Sequence, residues 1–198
     1  TAQNGSNDAV ITAPTNTVGN FVYELVSVQD GSSTACANNQ TGTVTINVNP
    51  LPNASIVGDT SLCLNENQPI VTFQGANGVS PFTFTYSING GAPQTLISVS
   101  GQSTISVPTN APGDFTYELI SVQEGSVSMC TNQVGDDVMI RVWDLPNVTA
   151  GIDYPICDGE STTLNGQGAV TYVWDNYVTN GVPFYPTSTL SYTVEGTD

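Results

Sequence analysis

The sequence predicts an all-β protein built from antiparallel sandwiches in tandem, and three observations carry that prediction. Val, Thr, Ile, Tyr and Phe recur in short alternating runs separated by Gly, Asn, Asp and Pro, the pattern of half-buried antiparallel strands. Almost no stretch has helical periodicity. Finally, the chain repeats itself: GNFVYELVSVQDGSSTAC at 19–36 returns as GDFTYELISVQEGSVSMC at 113–130, with 11 of 18 positions identical at an offset of 94. A fixed period of that size marks an array of domains.

The offset holds beyond those windows. Ile11, Pro14, Thr15 and Asn16 match Ile105, Pro108, Thr109 and Asn110; Leu51-Pro52-Asn53 matches Leu145-Pro146-Asn147, and Cys63 matches Cys157. A unit of this size is close to an immunoglobulin-type sandwich of roughly 100 residues. Three segments follow: 1–50 is the C-terminal part of an Ig-like repeat, 51–144 a complete repeat, and 145–198 the N-terminal part of a further repeat of a different subtype. The expectation is a segment of a longer polypeptide, with any anchor or export signal outside these residues.

Within 51–144 the alternation predicts seven strands. The first is ASIV at 54–57, and PIVTFQ at 69–74 follows. PFTFTYSI at 81–88 alternates cleanly, with Phe82, Phe84, Tyr86 and Ile88 on one face and the threonines on the other. Asn89-Gly90-Gly91 is a hairpin signal leading into 93–98. Strands at 103–107, 113–123 and 137–143 complete the set. In the last, Val138, Ile140 and Val142 point one way and Met139, Arg141 and Trp143 the other. Tyr117 is either a tyrosine corner or a plain core aromatic. The Leu-Pro-Asn after each terminal strand ends it and stiffens the passage onward, giving a rod. In the third segment Trp174 falls where such sandwiches bury a core tryptophan.

Charge excludes several functions. Only 9% of residues are charged, yet the net charge is −16, and Arg141 is the sole basic residue. A nucleic-acid binder neutralises phosphates with several Lys or Arg, so no nucleic-acid partner is expected, nor docking on anionic lipid. No run approaches the roughly 20 apolar residues of a membrane span, so no membrane insertion is expected. Without His or Lys, the usual nucleophile–base schemes cannot be assembled. The acids of a two-carboxylate glycosidase are present in number, but they sit in turn contexts such as Asp158-Gly159-Glu160. The expectation is a protein that is not an enzyme and needs no cofactor.

The cysteines keep the register of the repeat. Cys63 opens the unit that Cys130 closes, so the predicted disulfide is Cys63–Cys130, with the partners of Cys36 and Cys157 outside the segment. Such a bridge would stabilise a domain by about 4 kcal/mol on the chain-entropy model and implies an extracytoplasmic location. Calcium takes carboxylate and carbonyl oxygens; Asp137, Asp144 and Asp153 are the weak candidates near a junction, although Thr43 stands where Asp137 does one repeat earlier. Tyr177, Phe184 and Tyr185 lie in loop-like sequence and could stack on a sugar.

The stretch from LPNASIVGDTSLC through GDFTYELISVQEG and its closing cysteine resembles the tandem Ig-like repeats of very large Bacteroidetes cell-surface adhesins, including SprB-like gliding-motility adhesins exported by the type IX secretion system. The tail CDGESTTLNGQGAVTYVWDNYVTNGVPFYPTSTLSYTVEGTD looks like a second repeat type of the same proteins, in which a cysteine follows YTVEGTD and would pair with Cys157. The resemblance implies an extracellular, cell-surface filament. Its partners would be neighbouring repeats of the same polypeptide and extracellular polysaccharide or solid surfaces. The second expectation is a spacer or glycan-binding module of a secreted polysaccharide-degrading enzyme.

Overall fold

The computed structural model describes residues 9–198. Among them the regular structure is all strand, arranged in several antiparallel sheets. Contacts gather the residues into two compact units: one takes the chain up to Thr60 with Pro69–Val107 and Phe115–Ile140, the other Ser61–Gln68, Pro108–Asp114 and Arg141–Asp198.

Four short strands come first: β1 (Gly19–Glu24), β2 (Ser27–Gln29), β3 (Ala37–Asn39) and β4 (Thr43–Val48). β1 pairs with β4 and β2 with β3, both antiparallel. The ribbon is interrupted at Leu25 and Val26, which bond Gly42 and Gln40 instead. Val44 is 57% exposed and Ile46 36%, whereas Val138 and Ile140, their counterparts one repeat later, are buried. The alternation is the same; the difference is that in the later repeat a second sheet covers that face.

That repeat holds β5 (Asn53–Val57), β6 (Thr60–Cys63), β7 (Ile70–Ala76), β8 (Thr83–Ile88), β9 (Gln94–Ile97), β10 (Gln102–Ser106), β11 (Gly113–Gln123) and β12 (Thr131–Trp143). They form a three-stranded sheet in the order β10-β7-β5 and a five-stranded one in the order β6-β12-β11-β8-β9. The sheets meet through aromatics. Phe73 of β7 packs on Phe84 and Tyr86 of β8, with ring centroids 5.8 and 5.2 Å apart. Val71, Phe73, Phe84, Val107, Leu119, Val122 and Ile140 are fully buried, each contributing about 1.5–3 kcal/mol of apolar burial. Pairing of two sheets over one apolar core is the sandwich layout.

Seven of these eight strands overlap the predicted ones, but β12 begins at Thr131, six residues before the predicted 137–143. β6 is the addition: TSLC is too short to show a period. The predicted faces of β12 are observed, with Val138, Ile140 and Val142 buried and Met139 and Trp143 exposed. The hairpin signal is a turn with Asn89 and Gly90 both at positive φ and the Gly91 N–H donating to Ile88 O at 2.9 Å. Pro52 is fully buried, and Asn132 Nδ2 donates to its carbonyl at 3.0 Å. The Leu-Pro-Asn stretch there is part of the packing as well as a strand stop.

The remaining strands, β13 (Thr171–Trp174) and β14 (Val194–Thr197), pair antiparallel, with bridges at Thr149–Gln167 and Thr162–Phe184 alongside. Trp174 is 6% exposed, as expected of a core tryptophan, and its Nε1–H donates to Asn180 Oδ1 at 3.0 Å. The same oxygen accepts the Gly166 N–H at 2.8 Å.

Candidate functional site

The twice-written stretch builds the same loop twice. In the turn between β2 and β3, Asp30 N–H donates to Cys36 O at 3.0 Å and Ala35 N–H to Ser32 O at 3.0 Å; between β11 and β12, Glu124 N–H donates to Cys130 O at 3.0 Å and Met129 N–H to Ser126 O at 3.1 Å. Ala35 and Met129 both stand at positive φ, 47° and 48°. The acid of each loop is ringed by hydroxyls. Ser32 Oγ donates to Asp30 at 2.7 Å and accepts from Thr34 Oγ1 at 2.8 Å. Ser126 and Ser128 both donate to Glu124 Oε1, and the Val79 N–H reaches Oε2 at 3.0 Å.

The two acids differ in depth. Glu124 is 4% exposed, while Asp30 stays at the surface. A bulge aims Glu124 inward: β11 shifts register against β8 between Leu119 and Ser121, so the inward set changes from Tyr117 and Leu119 to Val122 and Glu124. The second sheet covers that face, whereas Val28, the counterpart of Val122, is 53% exposed. An extra residue on one strand switches every later side chain to the other face. The Ser126 hydroxyl, then the Val79 N–H, and further the Ser128 hydroxyl and the Cys130 N–H hold the Glu124 carboxyl down at about 2 against the opposing effect of burial. The Ser32 hydroxyl likewise lowers Asp30. A carboxyl that acidic is a poor proton carrier near neutral pH. Its work is to fasten the loop.

The second loop also receives the end of the preceding repeat. Asn49, just beyond β4, donates through Nδ2 to Ser128 Oγ at 2.9 Å, and the Cys130 sulfur lies 3.6 Å from that same oxygen. Near the end of β12 the Trp143 carbonyl accepts the Leu64 N–H at 2.8 Å.

A separate surface surrounds the one basic residue. Arg141 holds Asp114 with two bonds, Nε to Oδ1 at 2.7 Å and Nη2 to Oδ2 at 2.8 Å, and lies 5.1 Å from the centroid of the Trp143 ring. The hydrogen bond from Arg141 lowers the Asp114 pKa and raises that of the arginine. These groups line an open cavity of about 410 Å³ with Pro112, Gly113 and Asp144. One repeat earlier the paired positions are Asn20 and Asn47, so this surface is particular to the second repeat.

The structure disperses the other sequence candidates. All four cysteines, Cys36, Cys63, Cys130 and Cys157, are free thiols, and the expected Cys63–Cys130 bond is not formed. The reason is strand geometry. Cys63 precedes Leu64, which bonds Trp143 at the C-terminal end of β12, whereas Cys130 precedes the first residue of that strand. Thirteen residues of antiparallel strand span roughly 40 Å, against about 4.4–6.8 Å between the Cα atoms of a disulfide. Asp137, Asp144 and Asp153 are not gathered: among the described residues no three metal-ligating side chains cluster, and Asp144 accepts the N–H of its own neighbour Leu145 at 2.9 Å. Phe184 packs edge-on against Tyr192 with centroids 5.4 Å apart, which removes it from the sugar-stacking trio. Tyr177 is fully exposed and Tyr185 70% exposed. Tyr117 is 3% exposed, and burial followed by the neighbouring Tyr86 raises its pKa; among the described residues its hydroxyl bonds no backbone, so it is the plain core aromatic. Comparison with family models, with curated proteins and with solved structures gives no match to this chain.

Proposed function

We propose that this chain is a structural segment of a large extracellular adhesin or filament, assembled from Ig-like sandwiches in tandem and serving attachment and, in a gliding cell, movement. One observation carries the reading: the same hydroxyl-braced loop is built in both repeats, and in the second it receives the Asn49 side chain from the end of the first. A loop copied for catalysis would present a titrating or nucleophilic group. In the second repeat this one instead locks its acid into four hydrogen bonds. Its chemistry is that of a braced contact between successive repeats, suited to holding a distal adhesive part away from the cell. Export through a type IX route and a cell-surface location belong to the same proposal, as does its kinship with SprB-like adhesins. They are supported by the sequence resemblance and by an acidic composition that keeps crowded surface chains apart.

Beads coated with antibody against residues 51–144 test this on living source cells. Beads that bind and travel along the cell body support a motile surface filament; beads that never attach refute surface display.

A second reading, a glycan-binding or spacer module of a secreted polysaccharide-degrading enzyme, is favoured by Trp143, which is 54% exposed beside the Asp114–Arg141 pair. Measurable affinity of the chain for a polysaccharide, abolished in Trp143→Ala, would support it.

A further inference from the structure

We propose that Cys63 and Cys130 form disulfides between successive repeats, Cys63 of one bonding Cys130 of the next across their joint. The inference rests on the tandem architecture and not on adhesion.

The two faces of this joint are visible at different places in the chain. At the end of the first repeat, Asn49 meets the loop of the second: Asn49 Nδ2 and Cys130 Sγ approach one oxygen, Ser128 Oγ, at 2.9 and 3.6 Å. At the end of the second repeat, Trp143 meets a segment of its own repeat: its carbonyl accepts the N–H of Leu64, the residue after Cys63. Asn49 and Trp143 are the same position, 94 residues apart. Each such position therefore has the Cys63 segment of its own repeat on the neighbouring strand, about 5 Å away, and the Cys130 loop of the following repeat beyond its side chain. Placed on one joint, the two cysteines face each other.

The state of the thiols agrees. Cys63 is exposed and Cys130 half-buried, at opposite ends of β12. Each partner lies one repeat away, so none of the four thiols is the partner of another. Cys36, in the loop matching that of Cys130, takes the same role at the joint before it. On oxidation two S–H bonds break and one S–S bond forms; the two protons and two electrons pass to a disulfide-bearing oxidant, which is reduced to its dithiol.

The test inserts a second copy of residues 51–144 after Asp144 of the full chain, which creates one complete joint, and uses oxidised glutathione followed by reduction of any mixed disulfide at low thiol. Native chain and duplicated chain are compared by thiol count and non-reduced mass. The native chain is expected to keep its four thiols and the duplicated chain to lose two, as a monomer. Two cysteine-to-serine sets then assign the bond: one keeps Cys63 of the first copy with Cys130 of the second, the other keeps Cys63 and Cys130 of a single copy. Bonding in the cross-copy set alone is the expected result. A bond within one copy, or none in a duplicated chain whose circular dichroism is native, overturns the proposal. The bead experiment is independent of this outcome.

Discussion

The two copies of the loop provide their own control for a packing prediction. Gly125 and Gly31 occupy the same position 94 residues apart, and neither has positive φ, so alanine is conformationally tolerated at both. Their surroundings differ. A Cβ at Gly125 would stand 2.6 Å from Pro81 O, 2.8 Å from Pro81 Cδ and 2.9 Å from Pro81 N, while one at Gly31 meets nothing within 4 Å. Two of those three atoms are backbone and the third belongs to a ring, so none can swing aside as a long side chain would. The Gly125 N–H also donates to Val79 O at 2.7 Å, which resists outward movement of the loop. Gly125→Ala is therefore expected to cost about 1–3 kcal/mol, the range for overpacking. For a domain of this size that lowers the melting temperature by about 4–24 °C. Gly31→Ala is expected to leave stability unchanged or raise it by about 0.4–1 kcal/mol through the unfolded chain. Thermal and urea melts of the three proteins by far-UV circular dichroism decide the matter. Equal losses in the two variants, or a Gly125→Ala chain that melts with the parent, would refute the reasoning.

Glu124 makes the fold acid-sensitive in a defined window. Its pKa is depressed to about 2 from an ordinary 4.5, so its contribution is fully present above the ordinary value and is lost as pH falls through the folded value. Urea midpoints of Glu124→Gln should be lower than the parent's near neutrality and converge with it as pH falls toward 2; a gap that stays constant with pH would count against the assignment. Asn180→Ala removes the acceptor of both Trp174 Nε1–H and Gly166 N–H, and leaving such donors part-buried costs about 1–3 kcal/mol. The loss should register in a melt followed by tryptophan fluorescence. Asn176 and Tyr177 sit at φ 51° and 59° in a turn closed by Val178 N–H to Asp175 O at 3.2 Å. A left-handed conformation costs a side-chain-bearing residue about 1–2 kcal/mol. Tyr177→Gly should therefore melt no lower than the parent, and a lower melting temperature would mean that the ring has a packing role.

The sequence by itself determined the strand class, the repeat and its phase, and which residues of β12 face inward, because a period of two is written directly in residue order. It also placed the hairpin at Asn89-Gly90 and the buried Trp174, each a local signal with a local cause. What it could not supply depends on where strands run past one another. The register shift after Leu119 turns Glu124 into the interior, and no composition rule marks the residue at which a ladder slips. The cysteines kept the phase of the repeat in the sequence, yet the two that bracket one unit lie at opposite ends of its longest strand, since sequence order says nothing of which end of a sandwich a loop occupies. β6 is too short to show a period and exists through its pairing with β12. Local alternation decides a residue's face; only the packed sheets decide its neighbours.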